Sequence, residues 1–154
     1  SEQIAETAIE SAALTAALNR IQSGRVLILL DCCHSGGLGA PKDARAGWQP
    51  GLSDGAYATL AQGRGRALIA SCRPDEFSWV LRGMENSLFT HYLLESLRGQ
   101  GRVLGDGLVR VYDIFRHLAA NVPGRAAQHP LFKAADFETD FPVTLATATA
   151  REDT

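Results

Sequence analysis

The fold is decided by the stretch Arg25-Val-Leu-Ile-Leu-Leu-Asp-Cys-Cys-His-Ser-Gly-Gly37. Its five consecutive apolar residues, without polar alternation, are typical of a strand covered on both faces, as in a parallel sheet. Asp31 ends the apolar run, and the glycines that follow predict a loop. Reactive groups in open α/β sheets gather where strands end at their carboxyl edge. The segment after Leu30 is therefore the first candidate for a functional site.

A second apolar run, Ala67–Cys72, predicts a neighbouring strand. Between the two runs, Ser53 or Asp54 can cap a short helix that extends to about Gln62. Strand, helix and strand in this order form a βαβ unit, the building block of parallel sheets. The sequence therefore predicts an α/β fold.

The rest of the chain adds helices and two short extended pieces. Periodicity and capping residues predict helices over 4–20, from Asn86 or Ser87 to Leu97, and over Leu108–Asn121, with extended pieces at His129–Lys133 and Phe141–Leu145. We expect one domain over residues 1–146 and a frayed tail at 147–154, because nothing in that tail can pack.

Composition excludes several classes of protein. The 154 residues are 45% hydrophobic and 21% charged, which is typical of globular domains and not of disordered chains. A net charge of −2 carries no basic excess for nucleic acid. No apolar run reaches the roughly 18–20 residues that span a bilayer, and Ser1–Glu6 lacks a basic leader. We expect a cytoplasmic protein that binds neither nucleic acid nor membrane.

The three cysteines point to thiol chemistry rather than to disulfides or metal. Their number is odd, Cys32 and Cys33 are adjacent, and a bridge between neighbours would be strained. Zinc is poorly supported because the sequence has no C-x-x-C motif. Cys72 is expected to be a small buried hydrophobic residue. Only one of Cys32 and Cys33 can face a binding crevice at the carboxyl edge of the sheet, because adjacent side chains at the end of a strand point in opposite directions.

The segment Asp31-Cys-Cys-His-Ser-Gly36 resembles the nucleophile signature Asp-x-Cys-His-x-Gly of caspase-like peptidases, in the metacaspase and bacterial caspase-homologue branch. The resemblance covers about residues 20–146. It implies a caspase-like α/β/α layered sandwich with a mostly parallel sheet, here lacking its first strands. The further segments that carry the resemblance are Arg66-Ala-Leu-Ile-Ala-Ser-Cys-Arg-Pro-Asp-Glu-Phe-Ser-Trp79, Asn86-Ser-Leu-Phe-Thr-His-Tyr-Leu-Leu-Glu95, Gln128-His-Pro-Leu-Phe-Lys133 and Phe141-Pro-Val143.

The resemblance also implies roles for individual residues. Cys33 matches the nucleophile, and Cys32 takes the variable position of the signature. Asp31 matches a carboxylate that lines the pocket for an Arg or Lys of the substrate. A buried carboxylate there needs a partner, which such a substrate supplies; alternatively, Asp31 accepts backbone amides of the glycine loop. The amides around Gly36 and Gly37 are candidates to stabilise an oxyanion.

A catalytic histidine is missing from the pattern. The family supplies the general base from a His-Gly motif, and none of the four histidines here precedes a glycine. His34 is adjacent to the nucleophile, His91 and His117 are expected to be partly solvated on helices, and His129 is expected to be structural. We therefore expect catalysis to need a histidine-bearing segment, either from a missing N-terminal part or from a partner chain. Whether the chain is a fragment, a processed subunit or a degenerate homologue stays open.

Several other residues have a plain surface interpretation. Asp75 and Glu76 are expected to be solvated on the loop after the second strand, and Trp79 either walls a substrate groove or packs. Four basic residues are expected in exposed connections, where they are surface residues or self-cleavage sites: Lys42, Arg45, Arg64 and Arg66.

Three functional hypotheses follow from these observations. The leading hypothesis is a cysteine endopeptidase that acts on peptide or protein substrates through Cys33, without cofactor or metal. No D-x-D-x-D-G loop is present, so we expect no dedicated calcium site in this stretch. The alternative is a catalytically inactive caspase-fold module for interaction or regulation. A small-molecule thiol hydrolase on an unrelated α/β fold has only the strand–Cys–Gly arrangement in its favour.

Overall fold

The computed structural model describes residues 11–31, 53–102 and 104–147. The chain is an α/β protein in which helices alternate with short strands. The elements in chain order are α1 (Ser11–Asn19), β1 (Val26–Leu30), α2 (Asp54–Ala61), β2 (Arg66–Ala70), α3 (Leu88–Leu97), β3 (Leu108–Arg110), α4 (Val111–Asn121), β4 (Leu131–Ala135) and β5 (Pro142–Leu145).

The strands form one three-stranded sheet and one two-stranded sheet within the described residues. β2 lies between β1, to which it is parallel, and β4, to which it is antiparallel. β3 and β5 form a separate antiparallel pair. The described strands therefore form one parallel pair and two antiparallel pairs, so the pairing in this part of the chain is mixed. The connection from β2 to β4 contains the helices α3 and α4. The first residue of β4, Leu131, pairs with the last residue of β2, Ala70, so the chain returns to the sheet at the edge where β2 ends.

The strand β2 is the centre of the packing, because all five of its residues are buried. Ala67 and Ile69 belong to a core cluster with residues of α3 and α4. Leu68 and Ala70 belong to a second cluster with residues of α2. This division follows from the two-residue period of a strand, whose successive side chains point to opposite faces. Helices therefore cover both faces of β2.

The first strand is less buried than its apolar sequence predicts. Within the described residues β1 pairs only with β2, and its side chains are half-buried, with Leu29 36% exposed. The expectation of full cover on both faces is correct for β2 and wrong for β1. An edge strand lacks a neighbour on one side, so its apolar side chains keep part of their exposure.

Two helices begin at the residues that the sequence predicts. Ser53 caps α2 by accepting a hydrogen bond from the amide of Ala56, and Ser87 caps α3 by accepting one from the amide of Thr90 (3.2 and 3.0 Å). None of the helices in the described ranges is long and apolar enough to cross a bilayer.

The predicted helix over Leu108–Asn121 begins three residues late. Leu108 to Arg110 pair with β5 instead of entering the helix. The Asp113 carboxylate then accepts the amide of Arg110 at 3.0 Å, which satisfies a donor at the start of α4. A long-range strand pairing therefore overrides the local helical pattern.

Thr147, the first residue of the expected tail, forms hydrogen bonds to the end of α3. The amide and the hydroxyl of Thr147 both donate to the carbonyl of Arg98, at 3.0 and 3.1 Å. Thr147 is therefore held against the end of α3. The remainder of the expected tail, 148–154, lies outside the described residues.

Arg66 is the clearest departure from the surface interpretation, because it is only 4% exposed. Its Nη2 donates to the carbonyl of Leu18 at 2.8 Å, and its Nη1 donates to oxygens of Asn19, Leu60 and Gln62. These oxygens lie at the carboxyl ends of α1 and α2, where unpaired carbonyls and the helix dipole favour a cation. One guanidinium therefore joins two helix ends to the start of β2.

We expect replacement of this guanidinium to destabilise the fold. Arg66→Met should lower the free energy of unfolding by about 1.5–3 kcal/mol, the usual range for hydrogen bonds to a charged group, because the acceptor oxygens lose their donors. Urea denaturation measures this change, with Arg82→Met as the control because Arg82 is exposed. Equal stability of the two variants would contradict the role assigned to Arg66.

Candidate active site

Asp31 lies at the carboxyl edge of the sheet, directly after β1. The ladder extends one bond past β1, where the Ser71 amide donates to the Leu30 carbonyl at 2.8 Å. Asp31 is therefore beside the loop that follows β2. The other predicted site residues, which are Cys33, Gly36 and Gly37, lie outside the described residues, as do Cys32 and His34.

Three hydroxyl groups donate to the Asp31 carboxylate. Ser78 donates to Oδ1 at 3.0 Å, Thr90 donates to Oδ2 at 2.7 Å, and Ser87 also donates to Oδ2. Ser87 and Thr90 belong to the start of α3, where the helix dipole favours a negative charge. Asp31 thereby joins the end of β1 to the start of α3.

The surroundings of Asp31 differ from the expectation of a buried carboxylate. The side chain is exposed, and its partners in the described part of the chain are neutral hydroxyls rather than a cation. Solvent and three donors stabilise the charge without burial. The alternative of amides from the glycine loop involves residues outside the described ranges.

Behind Asp31, a buried glutamine fixes the loop after β2. Gln128 is fully buried, and its Nε2 donates to the carbonyl of Ser71 at 2.8 Å and to Ser78 Oγ at 3.4 Å. Its Oε1 accepts the amide of Trp79 at 2.9 Å. Since Ser78 in turn donates to Asp31, two hydrogen bonds connect Gln128 to the carboxylate. The position of Asp31 therefore depends on a buried polar network.

Glu76 is not the solvated loop residue that the sequence suggests, whereas Asp75 is exposed as expected. The Glu76 side chain is 15% exposed and accepts hydrogen bonds from the amides of Arg73 and His129 and from the His129 ring. Partial burial raises the pKa of Glu76, but the hydrogen bonds from His129 and Arg73 outweigh it and hold the pKa below its ordinary value. Glu76 therefore fastens the loop after β2 to the segment before β4.

The described histidines are all engaged with carboxylates. His91 and His117 flank Glu95, with Nε2 to carboxylate distances of 3.4 and 3.1 Å. His91 is 46% exposed, as expected, but the His117 side chain is only 10% exposed because it lies between α3 and α4. His129 is bonded to Glu76, in keeping with its expected structural role.

Cys72 and Trp79 complete the loop after β2. Cys72 is fully buried, and its thiol donates to the carbonyl of Glu76 at 3.4 Å, so the prediction of a buried cysteine is confirmed. The Trp79 carbonyl accepts the amide of Leu88 at 2.8 Å, while its indole Nε1 is buried without a hydrogen-bond partner among the described residues. Cys72 is therefore a core residue, whereas Trp79 is half-buried with its indole nitrogen directed away from solvent.

Sequence reasoning missed four polar residues of this site. Ser78, Ser87, Thr90 and Gln128 all lie in the segments that carry the family resemblance, and Ser87 was recognised only as a helix cap. A serine within the irregular Arg73–Gly83 loop and a glutamine before an apolar strand were the available signals. Neither signal specifies a partner, because the partners lie 47 to 59 residues away along the chain.

A family model of the caspase domain matches residues 5–142, so the chain belongs to the caspase-domain family. Searches of curated proteins and of solved structures gave no significant match. The matched range includes Asp31, Cys33 and the whole loop after β2. The resemblance that the sequence motifs indicate is therefore confirmed at the level of the family.

We expect the Glu76 contacts to stabilise the fold in a pH-dependent way. Because the folded-state pKa of Glu76 is lowered, its contribution is present above the ordinary value of 4.5 and is lost as the pH falls through the lowered value. Glu76→Gln should therefore lower the free energy of unfolding at pH 7 by about 1–2 kcal/mol. The difference should shrink on acidification below pH 4.5.

Urea denaturation between pH 3 and pH 7 measures this effect, and Asp75→Asn is the matched control because Asp75 is exposed on the same loop. A difference between wild type and Glu76→Gln that stays constant over this range would contradict the assignment.

Proposed function

We propose that the chain is a cysteine-type endopeptidase domain with Cys33 as its nucleophile. The observation that carries the proposal is the match to the caspase domain over residues 5–142, with Asp31 at the carboxyl edge of β1, two residues before Cys33. Membership of this family supports a peptidase-type function in general, and protein or peptide substrates with it. The motif position supports Cys33 in particular.

The chemistry follows from a thiol followed in the sequence by two glycines, whose backbone amides can approach a ligand closely. The Cys33 thiolate attacks the carbonyl carbon of the scissile bond, and the amides around Gly36 and Gly37 stabilise the oxyanion that forms. Collapse of this intermediate releases the amine and leaves a thioester on Cys33. A water molecule then attacks the thioester, releases the acid product and restores the thiol.

A general base must take the thiol proton and later protonate the leaving amine. In this proposal the base is a histidine outside the present sequence, on a segment before β1 or on a partner chain. Two observations support this: no histidine here precedes a glycine, and the described ones, His91, His117 and His129, are bonded to Glu95 or Glu76. The half-exposed edge of β1 supports further strands on that side of an α/β/α sandwich.

The proposed substrates have a basic residue at the cleaved position. Asp31 is exposed, charged and without a cation partner in the described residues, which supports a pocket for Arg or Lys. The metacaspase-like signature points to the same preference.

An inactive caspase-fold module remains the second candidate, favoured by the missing His-Gly motif. The two candidates differ in the reactivity of Cys33. A module without catalysis has no need of an accessible thiol at this position, whereas a peptidase requires one.

We expect Cys33 to be the fastest-reacting thiol of the folded chain. A peptide chloromethyl ketone with a basic terminal residue should label wild type and Cys72→Ala at similar rates, because Cys72 is fully buried. Cys33→Ala should lose the fast phase. Peptide mapping by mass spectrometry identifies the adduct, and a fast adduct on Cys32 or Cys72 would overturn the assignment.

We further expect the purified chain to hydrolyse peptides very slowly and to be rescued by added imidazole. General-base assistance contributes about 10²–10⁴-fold, so turnover without it should be lower by that order. Imidazole in the buffer should raise hydrolysis in wild type but not in Cys33→Ala. Fast, Cys33-dependent cleavage that does not respond to imidazole would show that the base lies within this chain.

A panel of fluorogenic peptides under the rescued conditions tests the substrate preference. We expect cleavage after Arg and Lys and not after Asp, with the basic preference lost in Asp31→Ala, because this variant removes the only proposed counter-charge. Preference for Asp, or a basic preference unchanged in Asp31→Ala, would contradict the role of Asp31.

A further inference from the structure

We propose that Asp31 binds a basic side chain end-on through Oδ1 alone, so that Lys is recognised at least as well as Arg, and that Thr90 sets this balance. The inference rests on the proposed function, in which Asp31 faces the substrate. It adds a specificity-determining residue, Thr90, that the sequence pattern does not indicate.

The Asp31 carboxylate has a limited number of acceptor positions. An ionised carboxylate offers about four lone-pair positions, two on each oxygen. Ser87 and Thr90 both donate to Oδ2, which uses both of its positions. Ser78 donates to Oδ1, which uses one. With respect to donors from the described residues, one position is left on Oδ1 and none on Oδ2.

The three donors are held in place by their own contacts. Ser87 caps α3 and accepts the amide of Thr90 at 3.0 Å, so its rotation would uncap the helix. Ser78 is 1% exposed and lies against Gln128 Nε2. Thr90 lies in the first turn of the helix that Ser87 caps, where the χ1 angle of a threonine is restricted to two rotamers. An incoming ligand therefore meets an Oδ2 that is already occupied.

This occupancy removes the usual advantage of arginine. A guanidinium binds a carboxylate best in a fork, with one N–H on each oxygen. The fork needs a lone pair on Oδ2, which the hydroxyls of Ser87 and Thr90 already use. An ammonium is a compact charge that needs only one acceptor, and the open position on Oδ1 supplies it. The site therefore fits Lys as well as Arg or better.

The test uses small cations and requires no peptidase activity. The intact chain, carrying ¹³C-labelled aspartate, is titrated with n-butylammonium and with n-butylguanidinium, and the side-chain carboxyl signal of Asp31 is followed by NMR. Asp31→Asn identifies that signal. In wild type we expect the dissociation constant for the ammonium to equal or lie below that for the guanidinium.

Matched variants locate the cause of the preference. Thr90→Val keeps the shape of the side chain but frees one position on Oδ2, so the ratio of the two constants should move toward guanidinium by about fivefold, the effect of one ordinary hydrogen bond. Thr90→Ser keeps the hydroxyl and should leave the ratio unchanged.

Guanidinium binding tenfold tighter in wild type, or an unchanged ratio in Thr90→Val, would overturn the inference. So would the absence of any response of the Asp31 signal to either cation. Failure of the proposed function has a different signature, namely no fast labelling of Cys33 while the cations still bind at Asp31.

Discussion

Everything else in the structure depends on the burial of β2 between two strands and two layers of helices. A strand in this position can satisfy its backbone hydrogen bonds only through β1 and β4, and it can bury its side chains only if helices cover both faces. Because neighbouring strands and helices hold β2 in place, they also hold the edge of the sheet at which β2 ends. That edge carries Asp31 and the loop after β2.

Charged groups of opposite sign lie at the two edges of the sheet where β2 begins and ends. At its start, the guanidinium of Arg66 meets the carboxyl ends of α1 and α2, where carbonyl oxygens need donors. At the opposite, carboxyl edge of the sheet, the carboxylate of Asp31, which follows β1, meets the start of α3, where the dipole and the hydroxyls favour an anion. Glu76 and Gln128 then fasten the loop after β2 to the start of β4. These hydrogen bonds therefore hold the carboxyl edge of the sheet in place, directly before the segment of the sequence that carries Cys33.

The sequence predicts the local features of this fold better than the long-range ones. The helix starts at Ser53 and Ser87 follow from capping, and the burial of residues 67–70 follows from their unbroken apolar run. The strand β3 was missed because its pairing with β5 is decided by residues more than 30 positions away.

The same distinction between local and long-range features applies to the candidate site. Asp31 was found from the motif and from its place after a strand. The sequence does not indicate its three hydroxyl donors, because a serine or threonine in a loop or in a first helical turn does not specify a distant carboxylate as its hydrogen-bond partner. Glu76 was misassigned to solvent for the same reason, since its partner His129 lies 53 residues further along the chain.

We propose that Asp31 and Cys33 act on one substrate at the carboxyl edge of β1. A crystal structure of the chain after covalent reaction with a lysyl peptide chloromethyl ketone tests this directly. We expect a thioether on Cys33 Sγ and the lysyl ammonium within about 3.2 Å of Asp31 Oδ1. A thioether on another cysteine, or a lysyl side chain directed away from Asp31, would contradict it.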